Sequence, residues 1–122
     1  MNEKSFATSL SCIDGRVQLP MLNWIKEKYL VDYIDTITAP GIDKVISDDD
    51  IESIKKSVMI SISNHKSSHI VISGHFGCAG NPVSDEEHFI QIKKSVEIIN
   101  SWDLDVDIVG VWLDEKFIPH LV

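Results

Sequence analysis

The chain has 122 residues, 43% apolar and 25% charged, with 11 Lys and Arg against 19 Asp and Glu and a formal net charge of −8. That length predicts one domain over residues 1–122, large enough to bury a working core, and the composition excludes a disordered tail, a collagen-like repeat and a low-complexity linker. So acidic a surface repels phosphate backbones and anionic lipid, which argues against nucleic acid or a membrane as partner, and no apolar run approaches the ~20 residues of a membrane-spanning helix.

In chain order, the opening MNEKSFATSL lacks the apolar centre of a signal peptide, which predicts a cytoplasmic setting. Residues 5–12, SFATSLSC, read as a first strand with weak alternation, broken by Asp14-Gly15-Arg16. Pro20 suits the first turn of a helix reaching Val31, because a proline's missing N–H has no partner there anyway; Leu22, Ile25 and Tyr29 share one face. VDYIDTIT, residues 31–38, alternates as a second strand and is stopped by Ala39-Pro40-Gly41.

Ser47-Asp48-Asp49-Asp50 predicts the next helix start, with Ser47 as cap and three acids at the positive end of the dipole, followed by Ile51, Ile54, Val58 and Ile62 at helical spacing. SHIVISG, residues 68–74, is short, β-branched and bounded by Gly, as a buried parallel strand requires. Ser84 with Glu87 forms a second capping box, and Phe89, Ile92, Val96 and Ile99 line the helix that follows. VDIVGVWL, residues 106–113, is the last strand.

Strands alternating with helices imply an α/β fold with a mostly parallel sheet and helices on both faces. Four strands admit simple winding in one direction or the order 2-1-3-4. The latter is the expected order, and it opens a crevice at the carboxyl ends of strands 1 and 3, where open α/β sheets bind ligands.

At those two ends stand Cys12-Ile13-Asp14-Gly15-Arg16 and Gly74-His75-Phe76-Gly77-Cys78. Two thiolates and an imidazole suit Zn2+ in a tetrahedral site, so Cys12, His75 and Cys78 are candidate metal ligands, with water or Asp14 in the fourth place. As alternatives, both cysteines could be ordinary core residues, or a Cys12–Cys78 disulfide could serve a redox role. Asp14 and Arg16 lie two apart, so on an extended strand end they could point the same way; Arg16 is the chain's one arginine, and a guanidinium fork holds a carboxylate ionised by two hydrogen bonds. Gly74, Gly77 and Gly80 are read as permitting a tight turn around the ligands. His65, His69, His88 and His120 are read as surface residues, with a proton relay the one functional alternative for His88. Trp24, Trp102 and Trp112 are read as core. The sequence carries no phosphate-binding glycine motif, which leaves nucleotide binding without support.

With Cys-x-Asp-x-Arg after the first strand and His-x-x-Cys after the third, the sequence resembles the β-class carbonic anhydrases over most of its length. The resemblance implies zinc on Cys12, His75 and Cys78, a catalytic Asp14–Arg16 dyad beside it, and reversible hydration of CO2 to bicarbonate by a zinc-bound hydroxide. It also implies a homodimer or higher homo-oligomer. A CS2 or COS hydrolase on the same site, or a catalytically silent zinc-stabilised interaction module closed by Asp14, are the other readings. The chain departs from the family in lacking a Gln just before the first motif and in having Ala39-Pro40-Gly41 where Asn-Ala-Gly is common.

Overall fold

The computed structural model describes residues 3–122 and places five strands in one sheet of order β2-β1-β3-β4-β5. The elements run β1 (Phe6–Ser11), α1 (Gly15–Tyr29), β2 (Tyr33–Thr38), α2 (Ile42–Ser47), α3 (Glu52–His65), β3 (His69–His75), α4 (Asp85–Asn100), β4 (Asp107–Leu113) and β5 (Pro119–Leu121). The first four strands are parallel and in the expected order, with Leu10 beside both Ile37 and Ile72 where β1 is sandwiched between its neighbours. Strand β5 was not expected. It pairs antiparallel with β4, and a three-residue strand containing Pro119 and His120 carries too little alternation to register as one.

Two apolar layers sandwich the sheet. On one face Val17, Met21 and Ile25 of α1 pack on Ala7, Val71, Val111 and Leu113. On the other, Ile42, Ile46, Ile54, Val58 and Ile99 from α2, α3 and α4 pack on Leu10, Ile70 and Ile72. Neighbours in β3 thus serve opposite faces, which is the period-2 rule applied to a strand buried on both sides. Each fully buried Ile or Leu contributes about 1.5–3 kcal/mol.

The starts of two helices differ most from the sequence reading. Helix α1 begins at Gly15 rather than Pro20, because Asp14 caps it by accepting a hydrogen bond from the Arg16 N–H. Pro20 therefore lies inside the helix, where its ring nitrogen cannot donate to the carbonyl one turn back. The apolar stripe shifts accordingly, with Val17, Met21 and Ile25 buried and Leu22 only half-buried.

Ser47 does not cap α3. It is the last residue of α2, a short helix absent from the sequence reading, and its hydroxyl donates back to the Lys44 carbonyl. Asp49 then turns the chain at φ 64, and α3 starts at Glu52. Six residues are too few for helical periodicity to declare itself. By contrast the Ser84 cap forms as expected, with the Glu87 N–H donating to its hydroxyl. Among the described residues, no helix is long and apolar enough to cross a membrane.

Candidate metal centre

Residues from two adjacent strand ends converge at the carboxyl edge of the sheet. Cys12 follows β1, His75 closes β3, and the Phe76-Gly77 turn carries the chain back to present Cys78. Gly77 makes that turn with φ 69, a conformation that disfavours any side chain. The ligand atoms of Cys12, His75 and Cys78 lie within 4.8 Å of one another, and all three residues are buried.

The donor set fits zinc. The two sulfurs are 3.9 Å apart. That is far beyond the ~2.05 Å of a disulfide and close to the roughly 3.8 Å edge of a tetrahedron with ~2.3 Å zinc–sulfur bonds. His75 Nδ1 donates to the Phe76 carbonyl at 2.8 Å, which fixes the tautomer and leaves the Nε2 lone pair free. That Nε2 is buried and, among the described residues, has no hydrogen-bond partner. A buried polar atom without a partner is costly unless a ligand meets it. Burial, with Cys12 close by, pushes the Cys78 thiol up to about 11, so as a thiolate it needs a cation beside it. The Gly41 N–H points at the Cys12 sulfur, 3.5 Å away, which gives the Ala39-Pro40-Gly41 loop a part in the site.

Asp14 and Arg16 pair as expected but by a different construction. Asp14 is the N-cap of α1 and Arg16 lies in its first turn, so the pair is set by a helix start rather than by an extended strand end. Arg16 Nη2 donates to Asp14 Oδ2 at 2.6 Å and Nε to Oδ1 at 3.0 Å, a two-pronged contact reinforced by the Arg16 backbone N–H. These bonds hold the Asp14 carboxyl down at about 2, so it is ionised throughout the neutral range. Asp14 thus faces Arg16 and stands outside the three-donor cluster, although its Oδ2 is only 3.9 Å from His75 Nε2. Gln18 pins the loop between them by donating to the Cys12 carbonyl at 2.8 Å.

Among the histidines, the expectation fails for His88. It is buried, and its Nδ1 lies 2.6 Å from Oδ2 of the equally buried Asp43. Asn81 donates to the other Asp43 oxygen and to Gln91, and Ser95 donates to the Asp43 carbonyl. Asp43 of this cluster lies against Gly74, the residue before His75. A side chain on Gly74 would strike the Asp43 carboxylate at 2.6 Å, so that glycine makes room within a strand rather than forming a turn. Sequence reasoning missed Asp43. Its signal was an acid flanked by Ile42 and Val45-Ile46, where a solvent-facing carboxylate would be expected between residues that need burial. His65, His69 and His120 lie at the periphery, each against a carboxylate, and Trp112 is core.

Comparison with known proteins agrees with this fold. No curated protein sequence matches the chain. The fold resembles the β-carbonic anhydrase isoform I of Trichomonas vaginalis, with TM-score 0.64, 16% identity and coverage of 99% of this chain and 86% of that one. It also resembles a mutant form of the β-carbonic anhydrase CafD of Aspergillus fumigatus, with TM-score 0.61, 16% identity and coverage of 100% and 90%. A carbonic anhydrase from Glaciozyma antarctica aligns with TM-score 0.59 at 13% identity, over 92% and 80% of the two chains. At such identities these structures speak for the fold. The sequence itself matches, over residues 2–122, the model of the family described as "Putative carbonic anhydrase", and the chain belongs to that family.

Proposed function

We propose that this chain is a zinc-dependent carbonic anhydrase that interconverts CO2 and bicarbonate. The observation that carries the reading is the buried, partnerless His75 Nε2 facing two thiols 3.9 Å apart, with an ionised Asp14 clamped beside it. Cys12, His75 and Cys78 would hold the metal. When bound, zinc supplies a water whose pKa falls to near 7 and which can therefore attack CO2 at working pH.

The protein's own part is to hold and to orient. The His75 ring is fixed from behind by the Phe76 carbonyl, and the Cys12 sulfur is met by the Gly41 N–H. A carboxylate offers about four acceptor positions, so Asp14 can receive Arg16 and still accept a proton-bearing oxygen beside the centre. Accepting that hydrogen bond turns the oxygen's lone pair toward the substrate carbon. Arg16 keeps the carboxylate at this duty and away from the metal ligands. The proton set free by hydration leaves to solvent, and the new carbon–oxygen bond gives bicarbonate.

The test is a stopped-flow pH-indicator assay on zinc-loaded protein. Rates well above the uncatalysed reaction from neutral to mildly alkaline pH are expected, with about one zinc per chain. A wild-type rate equal to the uncatalysed one overturns the reading.

Arg16→Ala is expected to keep its zinc but to lose rate about 10- to 100-fold, because an interaction that orients the transition state is gone. Asp14→Ala should fall in the same range. The two losses should not multiply in the double variant, since Arg16 acts through Asp14.

A further inference from the structure

The Asp14–Arg16 pair has a weak point. The Arg16 side chain is 57% exposed, and an exposed ion pair spends most of its attraction on ordering two side chains. Besides Asp14, its one acceptor among the described residues is the Gly77 carbonyl at a long 3.4 Å. The Arg16 guanidinium carbon, however, lies over the ring of Phe117, 4.8 Å from its centroid. We propose that Phe117 is a positioning residue whose ring holds the Arg16 guanidinium in register with Asp14. The inference deepens the carbonic anhydrase reading and rests on it for its catalytic consequence.

Phe117 lies in the turn between β4 and β5, far from both sequence motifs. Its φ is 58, in the left-handed region where a bulky residue is an outlier and glycine is at ease. Such a residue persists only where its surroundings over-determine it. Here they do. The Phe117 N–H donates to the Asp114 carbonyl at 2.8 Å. The Asp114 carboxylate accepts the Lys116 and Ile118 N–H groups through Oδ1 and pairs with His120 through Oδ2. Nothing in that turn calls for an aromatic side chain. The ring leaves it to lie against the α1-side core, beneath Arg16 and 6.0 Å from the His75 ring. Its face, negative by its quadrupole, attracts the guanidinium and restrains its plane, so that both prongs stay on Asp14.

Because Arg16 is the chain's one arginine, its Nε–H is a single, self-assigning signal in a proton–nitrogen spectrum. In wild-type protein, with zinc or after chelation, that signal is expected to be shifted upfield by the ring and to show contacts to the Phe117 ring protons. In Phe117→Leu it should move downfield and exchange with water severalfold faster. CO2 hydration should drop about two- to fivefold at unchanged zinc content, matching the modest strength of an exposed cation–π contact. Phe117→Tyr should restore signal and rate together, which a purely structural role would not require. Absence of the wild-type ring contacts overturns the proposal without recourse to any variant, as does an Arg16 signal that ignores the loss of the ring. A zinc-loaded wild type without activity refutes the carbonic anhydrase reading and the catalytic role with it, while the Arg16 signal separately decides whether Phe117 holds the guanidinium.

Discussion

Cys12→Ser is expected to abolish CO2 hydration and to lose zinc under conditions that saturate the wild type, a weakening of well over about 1,000-fold, since it replaces a soft thiolate by a hydroxyl that ligates zinc poorly. Serine is nearly the size of cysteine, so the buried position stays filled and the loss is one of coordination. The candidate ligands come from two strand ends, so a bound metal would tie β1 to β3 and its binding energy would add to folding. At free zinc a thousandfold above the dissociation constant this linkage is worth about 4 kcal/mol. For a chain of this length that is a fall in melting temperature of roughly 15 °C. Zinc analysis, the hydration assay and thermal unfolding check the three parts. The decisive comparison is with chelated wild type, which should melt close to Cys12→Ser. A variant that keeps full zinc would remove Cys12 from the ligand set.

Asp43→Ala is expected to destabilise the fold by about 3 kcal/mol, because it strips the acceptor from two buried polar groups at roughly 1–3 kcal/mol each. His88 and the Asn81 amide lose their acceptor in a place where water cannot replace it, since Asp43 is 1% and His88 2% exposed. The metal-free protein is the cleaner subject for denaturant unfolding, because it separates this loss from zinc linkage. Asp43→Leu with His88→Phe should recover part of the loss, because it removes the orphaned imidazole and leaves the Asn81 amide as the one group that has lost its Asp43 acceptor. A cost below about 1 kcal/mol for Asp43→Ala would mean that solvent or a rearranged Gln91 satisfies His88.

Much of this protein is determined by the sequence alone. The parallel sheet follows from β-rich runs alternating with helical spacing, and of the two strand orders this admits, 2-1-3-4 is the one whose switch point brings Cys12 next to His75 and Cys78. The Ser84 cap forms between residues three apart, a distance the chain controls by itself. These features are local, or follow from one topological rule.

What failed to show depends on contacts between distant segments. Asp14 could be seen as a strand breaker, but that its side chain starts α1, and so places Pro20 inside a helix, depends on how the β1 end meets the sheet. His88 reads as a polar residue on an amphipathic helix. Only Asp43, 45 positions away, makes its burial tolerable, and only the missing side chain of Gly74 leaves space for that pair. Phe117 carries no local motif either. Its place under Arg16 exists because β5 folds back on β4 and aims the intervening turn at the start of α1. Hydrophobic period and capping act over a few residues and are written in the chain, whereas pairing of buried polar groups and stacking on a guanidinium are decided by which segments the sheet brings together.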